Sequence, residues 1–195
     1  MHKEHVVILL VGRTNSGKTS LIKQLCERTG LRQLVSHTTR PPRKDKDDDH
    51  IFVNVEDYLK AKENDEIAAE TEIAGNYYYA TKEQLYNADL YTIDPVGRIG
   101  LLAMNLPNIR FVTVYISCPD AERERRAHKR GDDRNTYRVR DFAEKQQFRH
   151  FVTNEQWDYA ICNQDFAKAY SCLRWISQME GCWKNSKEIG DENNM

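Results

Sequence analysis

The sequence predicts an α/β protein: a three-layer P-loop core on a mostly parallel sheet, with a small inserted subdomain and an arginine-rich lid. Three observations carry that reading. Short apolar, β-branched runs alternate with helical stretches along the chain, the pattern of strands covered by helices on both faces. The first run, "VVILLV" (Val6–Val11), empties into "GRTNSGKTS" (Gly12–Ser20), a Gly-flanked turn between strand and helix. Two polar segments, residues 33–85 and 126–145, fit no layer of such a core.

The elements follow in order. Val6–Val11 is apolar throughout, as a strand buried on both faces must be. Thr19–Arg28 places Leu21, Ile22 and Leu25 on one helical face and stops at Gly30, a natural C′ residue. Further strands are expected around Leu34–Ser36 and at Ile51–Val55, Leu90–Ile93, Phe111–Ile116 and Tyr159–Cys162. Pro119 opens a helix at N1 that runs to Gly131. Asn163 or Asp165 caps the last helix, whose stripe is Phe166, Tyr170, Leu173 and Ile176. Residues 1–186 are therefore expected to form one domain. Its core is 1–32, 86–125 and 146–186; the insertion is 33–85 and the lid is 126–145. The tail, 187–195, lacks an apolar pattern and is expected to be disordered.

Composition narrows the function. The chain has 195 residues, enough for a substantial core, with 29 Lys+Arg against 30 Asp+Glu and a net charge of −1. That balance argues against a dedicated nucleic-acid binder. Five widely spaced cysteines without a CxxC pair make neither a disulfide framework nor a zinc site. They read as reduced, mostly buried thiols of a cytoplasmic protein. "VVILLV" is too short to span a bilayer, so no membrane partner is expected. Monomer and dimer both remain open.

Gly12-x₄-Gly17-Lys18-Thr19 fits the Walker A pattern. Small residues let successive backbone N–H groups converge on a polyphosphate at the positive end of the following helix. Lys18 reaches the outer phosphates and the Thr19 hydroxyl ligates Mg²⁺. Asn15 stands where a residue must tolerate positive φ, which Asn does better than most. Gly12, Asn15, Ser16, Gly17, Lys18, Thr19 and Ser20 are thus the expected contacts to a nucleoside triphosphate. A second anion site is expected at "VSHTTRPPRK" (Val35–Lys44), where Arg40 and Arg43 flank the stiff Pro41-Pro42 pair and suit a phosphate.

The motifs "GRTNSGKTSL", "SHTTRPPR", "DHIFV", "GNYYYAT", "RAHKRG" and "AICN" occur in that order. In these the chain resembles the guanylate kinase family, up to about residue 178. The resemblance implies transfer of the terminal phosphoryl group of ATP, with Mg²⁺, to GMP or dGMP, by in-line displacement. Its partners would be small-molecule nucleotides. It implies that Ser36 approaches the guanine, and that Arg40, Arg43 and Tyr78 hold the acceptor phosphate. Lid arginines Arg126, Arg130 and Arg140 would join Lys18 at the transferring group, with Arg138 competing for the last place. Asn163 would lie near the donor adenine, or else cap the last helix. Asp94 would assist Mg²⁺ or the acceptor base, or else cap a helix over Gly97–Leu102.

The acceptor site departs from the family's pattern. The acid that reads the guanine edge falls on Ala69, with Glu70 and Glu72 beside it; a one-residue slip brings in Glu70 but reverses the facing. His50 replaces a phosphate-contacting tyrosine. Ala80 replaces a small hydroxyl residue, leaving Thr81 as the nearest hydroxyl. Two rivals follow: a related kinase with another acceptor, such as a different nucleotide or ribose 1,5-bisphosphate, and a non-catalytic interaction module of the same fold. The intact Lys18 and Thr19 weigh against the second.

Overall fold

A computed structural model describes residues 4–42 and 50–183. Its centre is β1 (His5–Val11), a run of seven whose last six residues are all buried. A strand this apolar needs cover on both faces, and it has it. Val6, Ile8 and Leu10 pack with Leu21, Ile22 and Leu25 of α1 (Lys18–Thr29) and with Ala169, Leu173 and Ile176 of α7 (Phe166–Met179). Val7, Leu9 and Val11 point the other way. They meet Leu101 of α4 (Pro95–Ala103) and Phe148 and Phe151 of α6 (Arg134–Thr153). Helix, sheet, helix: these are the three layers expected.

The core sheet also holds β6 (Leu90–Thr92), β7 (Ile109–Ser117) and β8 (Tyr159–Cys162), in the order β6-β1-β7-β8. All its pairings are parallel. Every strand therefore ends at the same edge, the one from which α/β proteins bind ligands. The phosphate loop follows β1 there, Asp94 follows β6 and Asn163 follows β8.

A second, mixed sheet of order β3-β2-β5-β4 lies within the segment expected as an insertion. It comprises β2 (His37–Thr38), β3 (Ile51–Phe52), β4 (Ile67–Ile73) and β5 (Asn76–Thr81). Ala74 and Gly75, both at positive φ, make the tight turn between β4 and β5. Alternation along β5 explains its tyrosine run. Tyr77 and Tyr79 pack on Tyr58 of α2 (Val55–Glu63), while Tyr78 faces the other side, edge-on to His50.

Several expected boundaries move. The strand around Leu34–Ser36 shrinks to a single bridge from Gln33 to Leu90, because the chain leaves the core sheet there for β2. The strand over Ile51–Val55 stops at Phe52, since the Asn54 side chain accepts the Asp57 N–H and opens α2. Pro119 is the N-cap rather than N1 of α5 (Asp120–Arg130), which ends at Gly131 as expected. Asp165, not Asn163, caps α7. All five cysteines are free and none is fully buried. Cys162 sits on an edge strand and Cys172 on the outer face of α7, which leaves both exposed. Among the described residues no helix is long and apolar enough to cross a membrane.

Leu173 is fully buried where α7 meets β1 and α1. Leu173→Ala should cost about 2–5 kcal/mol through lost burial and the cavity left behind, read as a lower urea midpoint with an unchanged slope.

Candidate active site

The loop between β1 and α1 is closely determined. A Cβ on Gly12 would lie 2.5 Å from the Ile116 carbonyl oxygen. Gly17 sits at φ 93°, and a Cβ there would come within 2.2 Å of Asn163 Nδ2. Only glycine fits either place. Asn15 takes φ 60°, the left-handed conformation its position demands. The Lys18 ammonium is turned inward, donating to the Gly12 carbonyl at 2.6 Å and the Arg13 carbonyl at 3.2 Å. Burial lowers its pKa to about 8, with Glu144 opposing the shift and Arg123 adding to it.

Other elements close on this loop. Asn163, fully buried at the end of β8, donates to the Ser16 carbonyl at 2.7 Å. Arg126 of α5 donates to the same carbonyl at 3.2 Å and to the Asn163 carbonyl at 2.7 Å. Its Nε pairs with Glu122 at 2.8 Å, and together Arg125 and Arg126 hold the Glu122 carboxyl at about 2. Arg130 reaches the Asn15 side chain at 3.0 Å. Arg138 and Arg140 project from exposed positions on α6. Thr19 and Ser20 are exposed in the first turn of α1.

Three groups gather on the second sheet. Ser36 and His50 Nδ1 share a hydrogen bond at 3.0 Å, and Tyr78 lies edge-on to the His50 ring. Arg40, just beyond β2, lies over the Phe52 ring. Arg43 and the acidic run Asp47–Asp49 lie outside the described residues. Thr81 is occupied as the N-cap of α3 (Lys82–Tyr86), in a capping box with Gln84. Asp94 caps α4, accepting the Val96 and Gly97 N–H groups, and also accepts from Gln147.

Glu70 is a correction. A bulge between Ile67 and Ala69 shifts β4 by one residue. Even so, Glu70 pairs opposite Tyr79, on the α2 side, where Tyr58 and Lys62 each donate to it at 2.8 Å. Burial pushes its pKa up, but those two bonds outweigh it and leave the carboxyl below its ordinary value. Glu72, two residues on, shares that face. The Tyr78 side instead receives Thr71 and the buried Ala69 and Ala80.

A model of the guanylate kinase family matches residues 4–180. The chain belongs to the guanylate kinase family. It is similar to guanylate kinase from Maricaulis maris (strain MCS10), 33% identical over 187 residues that cover 90% of this chain and 83% of the relative. Guanylate kinase from Caulobacter vibrioides is 30% identical over 195 residues, 92% and 90% of the two chains. The crystal structure of guanylate kinase from Anaplasma phagocytophilum superposes with a TM-score of 0.67 at 25% identity, covering 93% and 90%. As a family member, the chain is a guanylate-kinase-type phosphotransferase.

Sequence reasoning missed a charge cluster behind the loop. Arg123, 1% exposed, donates to Asp141 at 2.7 Å, to Asp120 at 2.8 Å and to the Thr14 carbonyl at 3.3 Å. Arg13 pairs with the same two carboxylates at 2.6 and 3.2 Å. The only hint in the sequence was the spacing Arg123, Arg126, Arg130, which shares one helical face.

Two outcomes are expected. Arg123→Met should destabilise the fold by about 1–3 kcal/mol, since it removes the hydrogen bonds that Arg123 gives to Asp141, Asp120 and the Thr14 carbonyl while Arg13 still faces both carboxylates; a denaturant titration measures it. Lys18 should link polyphosphate binding to protons. Around pH 8 the protein without nucleotide is about half-way through losing the Lys18 proton, so binding an anion must recover it. Affinity should fall as pH rises past 8, with proton uptake seen by calorimetry in buffers of different ionisation heat, and uptake should vanish near neutrality.

Proposed function

We propose that the chain transfers the terminal phosphoryl group of ATP to the phosphate of GMP or dGMP, releasing ADP and the nucleoside diphosphate. One observation carries the reading. A Lys18-bearing phosphate loop, with Arg126 and Arg130 closing on it, shares the chain with a separate sheet that gathers Ser36, His50 and Tyr78 near Arg40. That is one polyphosphate site and one site for a second polar ligand. The guanylate kinases to which the chain is similar support guanosine monophosphate as that ligand.

The chemistry is positioning and charge neutralisation. Lys18 and the loop N–H groups hold the polyphosphate; Arg126 and Arg130 exchange loop carbonyls and side chains for phosphoryl oxygens. Arg140, exposed on α6, completes the neutralisation through its long side chain, and Asn163 holds the loop from behind. Arg40, with Arg43, keeps the acceptor phosphate in line. That phosphate is ionised at neutral pH and needs no general base. Thr19 offers one exposed oxygen, and among the described residues no three acidic, His or Cys side chains form a cage. This suits Mg²⁺, which takes few protein ligands and keeps phosphates and waters. When bound, the ion neutralises charge on the polyphosphate.

A second reading, a related kinase with another acceptor, is favoured by the facing of β4. Neither Glu70 nor Glu72 reaches the Tyr78 side, where Ala69 and Thr71 stand instead.

ADP release from Mg-ATP should be followed with GMP, dGMP, AMP, UMP, CMP and ribose 1,5-bisphosphate offered separately, with Lys18→Ala as the blank. Preference for GMP or dGMP by at least about tenfold, abolished in the blank, is expected. Faster turnover of another acceptor replaces the first reading with the second. No Lys18-dependent turnover with any of these acceptors removes the first reading and leaves an acceptor outside this set or an interaction module of the same fold.

A further inference from the structure

Thr14 lies inside the phosphate loop, yet its donors do not point to open space. Its N–H donates to Glu144 Oε2 at 2.7 Å, and its hydroxyl donates to Glu144 Oε1. Two carboxylate oxygens on two donors of the loop reproduce what a phosphate group presents to such a loop. Glu144 also acts electrostatically on Lys18, the cation that serves the outer phosphates. The carboxylate is thus a resident anion at the mouth of the polyphosphate site.

The helix that carries it is independently fixed. Asp141, three residues before Glu144 and so on the same face of α6, is held by Arg13 at 2.6 Å and by buried Arg123 at 2.7 Å. Glu144 can therefore release Thr14 by a side-chain rotation while α6 stays anchored through Asp141. A bound triphosphate would put a second concentration of negative charge beside the first, in a half-buried site where charges are weakly screened. The two cannot share Thr14.

We propose that Glu144 is an internal competitor for the terminal phosphate of the nucleotide. It holds the Thr14 donors while the loop is empty, is displaced when a triphosphate binds, and lowers triphosphate affinity relative to diphosphate. The inference rests on the ATP reading above.

Calorimetric titration of the full chain with Mg-ATP and Mg-ADP separates the two. Glu144→Gln keeps size and hydrogen bonding but removes the charge; Glu144→Ala removes the occupant. Both should bind ATP more tightly, by about fivefold or more, the low end of ordinary coupling between sites. ADP, which lacks the terminal phosphate, should gain by a smaller factor. Thermal midpoints check folding, and the Gln variant alone suffices if the Ala variant is unstable. Unchanged or weaker ATP binding, or equal gains for ATP and ADP, overturns the inference while the ATP reading stands. A wild-type chain that binds no ATP overturns both.

Discussion

A phosphate loop converges backbone donors and a lysine on one point, next to a positive helix end, and each of those groups needs a partner. The surrounding structure answers that constraint group by group. Lys18 folds back onto the Gly12 and Arg13 carbonyls. Glu144 takes the Thr14 donors. Asn163 and Arg126 satisfy the Ser16 carbonyl from behind. The partners from outside the loop come from three different elements, so the loop's needs also decide where β8, α5 and α6 must sit. The parallel sheet makes this possible, because it delivers the ends of β1, β6 and β8 to one edge.

What was legible in the sequence was whatever a single element's burial dictates. β1 has no polar residue after His5 because both its faces are covered, and its run of six buried residues shows it. β8 matched its expected bounds, and the α7 stripe holds through Tyr170, Leu173 and Ile176 in the core; Phe166, at its start, stays exposed. The positive φ of Asn15 followed from its place in the motif. The second sheet was harder, since two-residue strands such as β2 and β3 carry no period at all. Glu70 shows the limit most clearly. Its face depends on a bulge and on pairing with β5, and neither leaves a mark that a local pattern can detect.

The charge cluster behind the loop was invisible for a different reason. Arg13, Arg123, Asp120 and Asp141 come from the loop, α5 and α6, and they meet only in space. In the sequence they are ordinary charges in a chain whose charges nearly cancel. Arg123 is buried and Arg13 and Asp141 nearly so, with Asp120 at the exposed rim; that placement, not their identity, makes them structural.

That burial sorts the arginines by task. Arg123, with two carboxylates and 1% exposure, is committed: turning it away from them would leave its own charge buried and unpaired. Arg126 has a single carboxylate and otherwise donates to backbone carbonyls, acceptors that a phosphoryl oxygen outcompetes. Arg130 holds a side-chain amide oxygen, also a neutral acceptor. Arg140 is exposed. From Arg123 through Arg126 and Arg130 to Arg140, then, the hold on the guanidinium loosens from two carboxylates, to neutral acceptors, to an exposed position. On the phosphoryl-transfer reading proposed above, a lid over 126–145 would need such a gradient: it would have to stay attached while bringing positive charge to the transferring group, and uniformly strong pairs would prevent the second as uniformly weak ones would prevent the first.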